Sequence, residues 1–476
     1  MTPLWTAADA VAATHGMTNS DWTATGVSID TRTLQKGDLF VALKDIRDGH
    51  DFVKLALEKG AAAALVSHRP ANVGPDAPLL VVPDVLRGLE ALGIAARARS
   101  RARIAAITGS VGKTSTKEML RTILSRQGRC HAAEASYNNH WGVPLTLARM
   151  PEDADFAVVE IGMSNPGEIA PLSRMTRPHV AMVTTVAAAH LASFDDLDGI
   201  AAEKATIMDG LEPGGIAVLN GDIVTSKLLQ DRAECVGAQI VLFGETTGAW
   251  RISDLRICQD VTVIEVVSPG HDYLFKLSVP GRHFALNAVG VLAVAQALGA
   301  DPLAASLDLG LWVPPAGRGT REILQLDPAN EFETLDLIDD AFNANPTSLA
   351  ASLEVISAGQ PRDGVGRIVK GRRIAILGDM LELGPQEVGM HRDMAQNGHL
   401  QQLDLIHCAG PLMKHLWQSL PDTQRGQWTA TAAELAGQAS RLVDAGDVVL
   451  VKGSKGSKIA LVVDAIRKLG HRRLSE

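Results

Sequence analysis

The sequence is poor in aromatic residues and in positive charge. Phe, Trp and Tyr make up 4% of its 476 residues, too few for the aromatic platforms on which proteins stack single-stranded nucleic acid. The formal net charge is -9, whereas a protein that binds nucleic-acid phosphates needs a basic surface. We therefore expect no nucleic-acid partner.

Four arginines, Arg97, Arg99, Arg101 and Arg103, come closest to a basic patch. They alternate with Ala and Ser, so we predict a solvated helix end followed by a linker. The same stretch marks the junction between the first and second units of the chain.

Cysteine and long hydrophobic runs are also scarce. Cys130, Cys235, Cys258 and Cys408 are far apart and form no C-x-x-C pair, which argues against a zinc knuckle or a disulfide framework and favours a reducing cytoplasm. The N-terminus has neither the basic nor the continuous apolar part of a signal peptide. The longest apolar helix candidate, Leu286–Leu298, is too short to span a bilayer. We expect no export and no membrane span.

The length and the order of predicted elements indicate an α/β protein of three domains. We place a small N-terminal α/β domain at 1–100, a central nucleotide-binding domain with a mostly parallel sheet at 101–315, and a C-terminal Rossmann-like α/β domain at 316–476. Two segments near the end of the central domain, 261–267 and 273–279, are predicted to form antiparallel strands. Because it is rich in Pro and Gly, the segment Trp312–Gly319 is predicted to be a hinge.

The most specific motif is I-A-A-I-T-G-S-V-G-K-T-S-T-K-E-M at Ile104–Met119. An apolar strand runs through a glycine turn into a helix, the layout of a loop that binds ATP-type phosphates. The predicted loop residues are Gly109, Ser110, Val111, Gly112, Lys113, Thr114 and Ser115. Lys113 is suited to the β- and γ-phosphates, and Thr114 to Mg²⁺. Ile107 stands where the general motif has its first glycine, which argues against a generic kinase or GTPase.

Glu160 ends an apolar strand, F-A-V-V-E, in the unit that carries the phosphate loop. A carboxylate at the tip of a neighbouring parallel strand is well placed to hold the Mg²⁺ that bridges nucleotide phosphates. A surface Glu at a strand end is the alternative. Since Glu is rarely buried without a partner, we favour the metal role.

Three other residues, His190, Asn287 and Arg318, have two interpretations each. His190 follows a strand and suits either a metal or phosphate contact or an ordinary hydrogen bond, whereas Lys204 on a predicted helix suggests a solvated lysine. Asn287 lies on an apolar helix, where an adenine edge or a backbone carbonyl would satisfy its amide. Arg318 in the hinge can turn a planar fork toward phosphate or remain solvated.

The segment L-I-D-D-A-F-N-A-N-P-T-S, at 337–348, packs carboxylates and amides around a turn. Asp340, Asn343 and Asn345 suit recognition of a ribose or polar substrate, and they equally suit an Asx-rich turn with a helix cap. Other polar residues follow strands of the third unit, where ligands of open α/β sheets collect. These are Asp379, Glu382, Lys452, Ser454 and Lys455.

Together these motifs resemble the Mur ligase family over essentially the whole chain. T-G-S-x-G-K-T-S-T-K-E, V-E-I-G-M-S-N-P-G-E-I, A-H-L before Lys204, G-R-H-x-x-x-N-A and D-D-x-x-N-A-N-P-x-S occur in the family's order. The F-N-A-N-P segment is most similar to the branch that adds D-alanyl-D-alanine. The sequence departs from the usual pattern at Ala192, Ser193, Ala205, Thr206, Phe284 and Phe342.

The resemblance implies a role for each matched residue. Lys113, Thr114, Asn287, Arg318 and Asp340 would bind ATP. Thr114, Glu160 and His190 would hold Mg²⁺, together with Lys204 once CO₂ has carbamylated it; Lys113, His190 and Lys204 would be catalytic. The residues implied to bind the substrate are Thr31, Arg32, Asn138, Asn139, Asn343 and Asn345.

The resemblance also implies a reaction, the ATP-dependent joining of D-alanyl-D-alanine to UDP-MurNAc-tripeptide through an acyl phosphate during cytoplasmic cell-wall precursor synthesis. We expect a monomer. The nearest alternatives are other amide ligases of the superfamily, the enzyme that adds the third residue of the stem peptide or a folylpolyglutamate synthase. A P-loop phosphotransferase or nucleotide-switched binding module would explain the phosphate loop but leave the first and third domains without a role.

Overall fold

The computed structural model describes residues 3–189 and 191–472. It contains three large sheets, of five, nine and seven strands, and one two-stranded pair. The strands of the large sheets lie within 17–81, 103–277 and 320–472 respectively. Helices connect most of the parallel strands, as in other α/β proteins. The predicted α/β class with three successive units is confirmed, and the residue limits of the domains stay predictions.

The first unit shares a hydrophobic core with the second. Its elements are β1 (Trp5–Thr6), α1 (Ala7–Thr14), β2 (Met17–Thr18), β3 (Thr23–Ala24), β4 (Gly26–Ser28), β5 (Asp38–Val41), α2 (Val53–Glu58), β6 (Ala63–Val66), β7 (Leu79–Val81) and α3 (Val85–Arg99). The sheet order is β2-β7-β6-β5-β4, parallel except for the pair β2 and β7. Leu145 and Ala148, from a helix of the second unit, complete its core.

The second unit has a mostly parallel sheet whose central strands are buried on both faces. Its elements are β8 (Arg103–Thr108), α4 (Lys113–Leu124), β9 (Cys130–Ala132), α5 (Gly142–Ala148), β10 (Phe156–Glu160), α6 (Ile169–Thr176), β11 (Val180–Val183), α7 (Leu197–Ala205), β12 (Ile216–Asn220), α8 (Ser226–Cys235), β13 (Gln239–Gly244), β14 (Trp250–Ile257), β15 (Thr262–Val267), β16 (Asp272–Leu277), α9 (Arg282–Ala297) and α10 (Pro302–Asp308). Ile104 and Ala106 of β8 enter one apolar core, while Ala105 and Ile107 enter the other. Burial on both faces explains the continuous apolar run of this strand.

The sheet order of the second unit places β8 between β10 and β11. The full order is β16-β15-β14-β13-β12-β11-β8-β10-β9. Neighbours are parallel from β9 to β14, whereas β14, β15 and β16 are antiparallel. The antiparallel pair predicted near the end of this domain is therefore confirmed. Because β8 and β10 are parallel neighbours, the phosphate loop and Glu160 emerge at the same edge of the sheet.

The third unit follows a linker that contains the predicted hinge. Its elements are β17 (Thr320–Gln325), β18 (Thr334–Asp340), α11 (Pro346–Ser357), β19 (Arg373–Gly378), α12 (Glu387–Asp393), β20 (Leu405–Ala409), α13 (Met413–Ser419), β21 (Arg425–Thr429), α14 (Ala432–Ala436), α15 (Ala439–Leu442), β22 (Val448–Lys452), α16 (Ala460–Arg467) and β23 (His471–Arg472). The sheet order is β21-β20-β19-β22-β18-β17-β23, parallel from β21 to β18. Asp340 and Lys452 end two adjacent strands, so they lie at one edge.

The prediction of a solvated helix end at the first junction is wrong for two arginines. Arg97 is 6% exposed and donates hydrogen bonds to the carbonyl of Thr176 at 2.8 Å and to Glu212 at 3.1 Å. Arg99 lies over the ring of Trp5 at 4.1 Å, and burial lowers the pKa of both guanidinium groups. Helix α3 lies between two units, and the long arginine stems fill that contact.

Two further expectations from the sequence concern membrane-spanning helices and the four cysteines. Within the described ranges, no helix combines the length and the apolar character needed to cross a membrane. The thiols of Cys130, Cys235, Cys258 and Cys408 are free. Burial raises the pKa of the Cys130 thiol to about 12, so this thiol is protonated at neutral pH.

Candidate active site

The phosphate loop joins β8 to α4 and depends on two glycines. Gly112 has a φ of 88°, and a Cβ there would lie 2.9 Å from the side-chain amide of Asn287. Gly109 has a φ of 153°, and a Cβ there would lie 1.9 Å from the hydroxyl of Thr184. Only glycine fits at either position. The loop then enters α4, whose N-terminal N–H groups and helix dipole favour a bound anion.

Lys113 and Thr114 begin helix α4. The ammonium group of Lys113 donates to the carbonyl of Gly109 at 2.6 Å, across the loop. Burial lowers the pKa of this lysine, while the negative charge of Glu160 opposes the shift. The Thr114 hydroxyl contacts both carboxylate oxygens of Glu160, at 3.0 and 3.1 Å. Lys113, Thr114 and Glu160 therefore lie together, as the sequence predicts.

Glu160 is 2% exposed, so the alternative of a surface Glu is wrong. Besides Thr114, its carboxylate accepts a hydrogen bond from the side-chain amide of Asn138 at 2.7 Å. A buried carboxylate beside a hydroxyl suits Mg²⁺, which prefers oxygen ligands and keeps part of its water and phosphate shell. Over the described ranges, no three His, Cys, Asp or Glu side chains converge on one point. The Thr114 hydroxyl and the Glu160 carboxylate offer oxygen ligands of the kind that Mg²⁺ prefers.

Ser136 connects the phosphate loop to the hinge, and the sequence analysis did not identify it. Its hydroxyl lies 3.0 Å from the Thr114 hydroxyl and accepts a hydrogen bond from Arg318 Nη2 at 3.1 Å. The Arg318 guanidinium also lies over the ring of Phe342, 4.1 Å from its centre. Burial lowers the pKa of Arg318, yet it stays charged at neutral pH. The alternative of a solvated hinge arginine is therefore wrong.

Polar groups of the third unit face the phosphate loop across the hinge. Asp340 accepts hydrogen bonds from the ammonium group of Lys452 at 2.7 Å and from the hydroxyl of Ser352 at 2.5 Å. Asn345 caps helix α11 by accepting a hydrogen bond from the backbone N–H of Ser348 at 2.8 Å. The helix-cap interpretation thus holds for Asn345, whereas Asp340 lies in an ion pair at the edge of the cleft.

Helix α9 adds two residues, one predicted and one missed. Asn287 is 7% exposed and packs against Gly112 of the phosphate loop. His283, one turn earlier, has a buried Nδ1 with no hydrogen-bond partner within the part of the chain that the structure describes. Burial lowers the pKa of His283 to about 4, so its ring is neutral near pH 7. In the sequence, His283 could have been identified from its position in G-R-H-x-x-x-N-A, four residues before Asn287.

These groups line one cleft of about 340 Å³ between the second and third units. The predicted residues that line it are Ser110, Val111, Gly112, Lys113, Thr114, Ser115, Asn138, Asn139, Glu160, Asn287, Arg318, Asp340, Asn343 and Asn345. A neighbouring cavity of about 490 Å³ shares His283, Phe284, Asp340 and Ser352 with the cleft. The predicted nucleotide-binding residues in this cleft thus come from four separate places in the sequence, 110–115, Asn287, Arg318 and Asp340.

Comparisons with known proteins match all three units. Three family profiles match the chain, the Mur ligase family catalytic domain over 23–100, the Mur ligase middle domain over 107–295 and the Mur ligase glutamate ligase domain over 328–455. UDP-N-acetylmuramoyl-tripeptide--D-alanyl-D-alanine ligase from Bacillus subtilis (strain 168) is 32% identical over 450 residues, 92% of each chain. The chain belongs to the Mur ligase family.

Other members of the Mur ligase family match over similar lengths. The Escherichia coli (strain K12) enzyme of the same name is 33% identical over 465 residues, 95% of each chain. The crystal structure of MurF from Acinetobacter baumannii superposes with a TM-score of 0.83 at 27% identity, covering 98% of this chain and 99% of that one. MurF from Thermotoga maritima, solved in complex with ADP, has a TM-score of 0.75 at 25% identity, with 93% and 97% coverage.

In this Mur ligase, Lys204 lies in helix α7 and is 1% exposed. The alternative of a solvated lysine is therefore wrong. Burial lowers the pKa of its amine well below the usual value, and the positive charge of Lys113 lowers it further. The adjacent Glu203 accepts two backbone N–H groups from the start of helix α6, at 2.8 and 2.9 Å, and so fixes α7. His190, predicted at the same site, lies outside the described residues.

The first unit of the Mur ligase has a separate cavity of about 1020 Å³. Thr31 and Arg32, predicted to bind substrate, both line it. Thr31 is 9% exposed, while Arg32 forms an ion pair with Asp30 at 2.5 Å and remains accessible. The second unit contributes His140 and Trp141 to the wall of this cavity. Thr31 and Arg32 thus lie in a site apart from the nucleotide cleft.

The polar residues that end other strands of the third unit differ in their surroundings. Asp379 is 6% exposed and accepts a hydrogen bond from the backbone N–H of Met413 at 2.7 Å, so it caps α13. Ser454 donates to the carbonyl of Ala344 at 3.2 Å and thereby supports the loop before α11. The backbone carbonyl of Glu382 accepts from the second unit at 3.4 Å. Asp379 and Ser454 stabilise the third unit, whereas Lys452 lines the cleft.

Proposed function

We propose that this Mur ligase joins D-alanyl-D-alanine to UDP-N-acetylmuramoyl-tripeptide in an ATP-dependent reaction, as the names of its full-length relatives state for them. One observation carries the proposal. The phosphate loop with Glu160 faces Arg318 and Asp340 across a cleft between two units, while a second cavity lies in the first unit. A phosphotransferase would need the loop alone, whereas a ligase must hold a nucleotide and two further substrates.

The chemistry explains why these residue types lie together. A carboxylate is a poor electrophile, so its attack on the γ-phosphate, giving an acyl phosphate and ADP, makes it reactive toward the amine. Lys113 and Arg318 supply fixed positive charge where negative charge builds up on the transferring phosphoryl group. Thr114 and Glu160 would hold Mg²⁺, which when bound neutralises phosphate charge. The amine of the dipeptide then displaces phosphate and forms the amide.

The proposed domains divide this work. Residues 1–100 would hold the UDP-sugar part of the acceptor, with Thr31 and Arg32 in the wall of its cavity. Residues 101–315 would hold ATP, and residues 316–476 would close on the nucleotide and bring in the amine. Asn138, Asn139, Asn343 and Asn345 line the cleft, and we assign them to the substrate side.

The nucleoside of ATP is proposed to lie against helix α9 and the edge of the third unit. Asn287, the neutral His283 and Asp340 line the cleft. Asn287 and His283 would offer hydrogen-bonding groups to the base, and Asp340 would hold the ribose. The adjoining 490 Å³ cavity has the size expected for a small-molecule subsite. Nucleotide selectivity would then depend on α9 and on Asp340 together.

Lys204 is proposed to act as a carbamate. As an ammonium, this lysine would repel a metal held by Glu160, and its burial favours the uncharged amine instead. An uncharged amine attacks CO₂ and releases a proton, which converts the side chain into an anion able to ligate Mg²⁺. His190 is proposed as a further ligand.

The nearest alternatives are other amide ligases of the superfamily. The chain has the F-N-A-N-P segment at Phe342–Pro346, and the D-N-P-R type of motif expected of the meso-diaminopimelate-adding enzyme is not in the sequence. A folylpolyglutamate synthase shares the fold at 17% identity, which carries no inference about substrate.

We further propose that the enzyme is a cytoplasmic monomer.

The deciding experiment is phosphate release by the purified protein with Mg-ATP and UDP-MurNAc-tripeptide, with D-alanyl-D-alanine present or omitted. Release that needs all three, with a product mass equal to the amide, is the expected result. Phosphate release that requires one amino acid, such as glutamate, in place of the dipeptide would favour an alternative ligase. Turnover without any amine would favour a phosphotransferase.

A further inference from the structure

Lys117 is a fully buried cation that no step of the proposed reaction uses. It lies in helix α4, one turn after Lys113, and is 0% exposed. Its ammonium group donates to the carbonyls of Ala133 and Ala135, at 2.5 and 3.3 Å, and pairs with Glu118 at 2.7 Å. An ammonium group has three donors, so these partners account for all of them. Lys117 therefore has no donor left for a ligand and acts on the protein itself.

The carbonyls that Lys117 holds begin the segment 133–141, which joins β9 to α5. This segment has irregular backbone, and its side chains serve two sites. Ser136 contacts the phosphate loop and the hinge arginine, while Asn138 donates to Glu160 at 2.7 Å. At its other end, His140 and Trp141 line the cavity of the first unit. One short segment thus forms a wall of both the nucleotide cleft and the first-unit cavity.

The far end of the segment is fixed by close packing. The backbone N–H of Gly142 donates to the side chain of Asn139 at 2.9 Å, and a Cβ on Gly142 would lie 2.5 Å from the backbone of Tyr137. Helix α5 then enters the core of the first unit. At its near end, Lys117 ties the backbone carbonyls of Ala133 and Ala135 to the phosphate-loop helix.

We propose that Lys117 is a positioning residue that fixes 133–141 as a shared wall of the nucleotide cleft and the first-unit cavity. The inference rests on the proposed function for the identity of the two ligands. Without the ammonium group, the buried carbonyl of Ala133 and the partly exposed carbonyl of Ala135 lose their partner, and the segment shifts. Ligand binding must then return the segment to its position before Ser136 and Asn138 can contribute to the site. Both ligands should therefore bind more weakly.

The test is Lys117→Met, which keeps the length of the side chain and removes its donors. Titration calorimetry, well below the melting temperature, would measure binding of the non-hydrolysable ATP analogue AMP-PNP with Mg²⁺ and, separately, of UDP-MurNAc-tripeptide. Loss of a hydrogen bond that leaves a buried acceptor unpaired corresponds to a Kd about tenfold higher, and we expect this for both ligands. Lys117→Gln keeps one short donor and should fall between Lys117→Met and the wild type.

Arg121→Met is the matched control, because Arg121 pairs with the same Glu118 at 2.7 Å but is half-exposed and has no bond to the segment. It should leave both Kd values within about twofold of wild type. Wild-type binding in Lys117→Met, or weakening of only one ligand, would overturn the shared wall. A lower melting temperature with both Kd values unchanged would show that Lys117 stabilises the fold but does not position the wall. If Lys117→Met does not fold, Lys117→Gln and the same titrations decide.

Failure of the proposed function would be seen separately. If the wild-type enzyme forms no amide from the tripeptide and the dipeptide, the assigned reaction is wrong. Binding of the two probes to wild type and variants still decides the role of Lys117, because neither titration requires turnover. Weakened binding of both probes in an enzyme without amide synthesis would support the wall and reject the reaction.

Discussion

Replacing Glu160 with Gln separates a metal role from a structural one. The change keeps the shape of the side chain and removes one negative charge. In the structure the carboxylate accepts hydrogen bonds from Thr114 and Asn138. Gln can keep one bond through its oxygen, and Asn138 can flip its amide to accept from the new NH₂. The folded state should therefore lose about 1 kcal/mol or less.

Catalysis should lose much more than stability does. Glu160 is the buried anion beside Thr114 at the strand tip, and an amide is a far weaker ligand for Mg²⁺. Loss of one preorganised electrostatic group at a reacting centre costs about 3 to 4 kcal/mol, or 10² to 10³ in kcat. We expect kcat to fall by at least about 100-fold, while the melting temperature drops by no more than about 4 °C.

The assay is ATP-dependent amide formation at increasing Mg²⁺, alongside thermal unfolding without ligand. Glu212→Gln is the control because Glu212 pairs with Arg97 and Arg177 at 3.1 and 2.7 Å, away from the cleft. It should show the reverse pattern, with reduced stability and unchanged kcat. If Glu160→Gln unfolds readily but keeps its Mg²⁺ dependence and kcat, the metal assignment is refuted.

Three further changes test other groups of the cleft. Lys113→Ala should abolish ATP-dependent ligation because the γ-phosphate loses its buried cation; normal phosphate release would exclude that role. Lys204→Ala should lose activity and regain part of it with formate or acetate, which replace the carbamate; an activity indifferent to CO₂ and carboxylates would reject carbamylation. Phe342→Ala removes the ring under Arg318. We expect kcat/KM to fall about fivefold, since an exposed cation–π contact contributes about 1 kcal/mol. Phe342→Tyr should keep the wild-type kcat/KM, and equal kinetics in the wild type and both variants would contradict this role.

The features that the sequence could predict are those set by local chain geometry. The phosphate loop was predictable because a strand, a glycine turn and a helix follow each other within Ile104–Met119. Each residue type in that motif also has a single physical role. Glu160 was predictable because the tips of parallel strands share an edge. The burial of Lys204 was not, because its helix gives no periodic apolar signal around it.

Contacts between distant parts of the chain account for most of what was missed. Ser136 is an ordinary serine in an irregular segment, and its value comes from lying between Thr114 and Arg318 in space. The same holds for Arg97, whose partners are about 80 and 115 residues away. A pattern of alternating Arg and Ala describes a solvated helix equally well. Only the packing of α3 between two units distinguishes the two possibilities.

The two interpretations of the polar segment 337–348 are compatible rather than exclusive. Asn345 caps α11 and so fixes the direction in which the chain leaves β18. That cap leaves Asp340, held by Lys452, facing the phosphate loop from the third unit. Arg318 sits between Gly317 and Gly319, whose φ values are 72° and 89°, and it bonds to Ser136 of the second unit. The proposed nucleotide site is thus divided across the glycine-flanked segment that the sequence predicts to be a hinge. Because each half lacks groups that the other supplies, ATP should bind tightly only when the two units are close together.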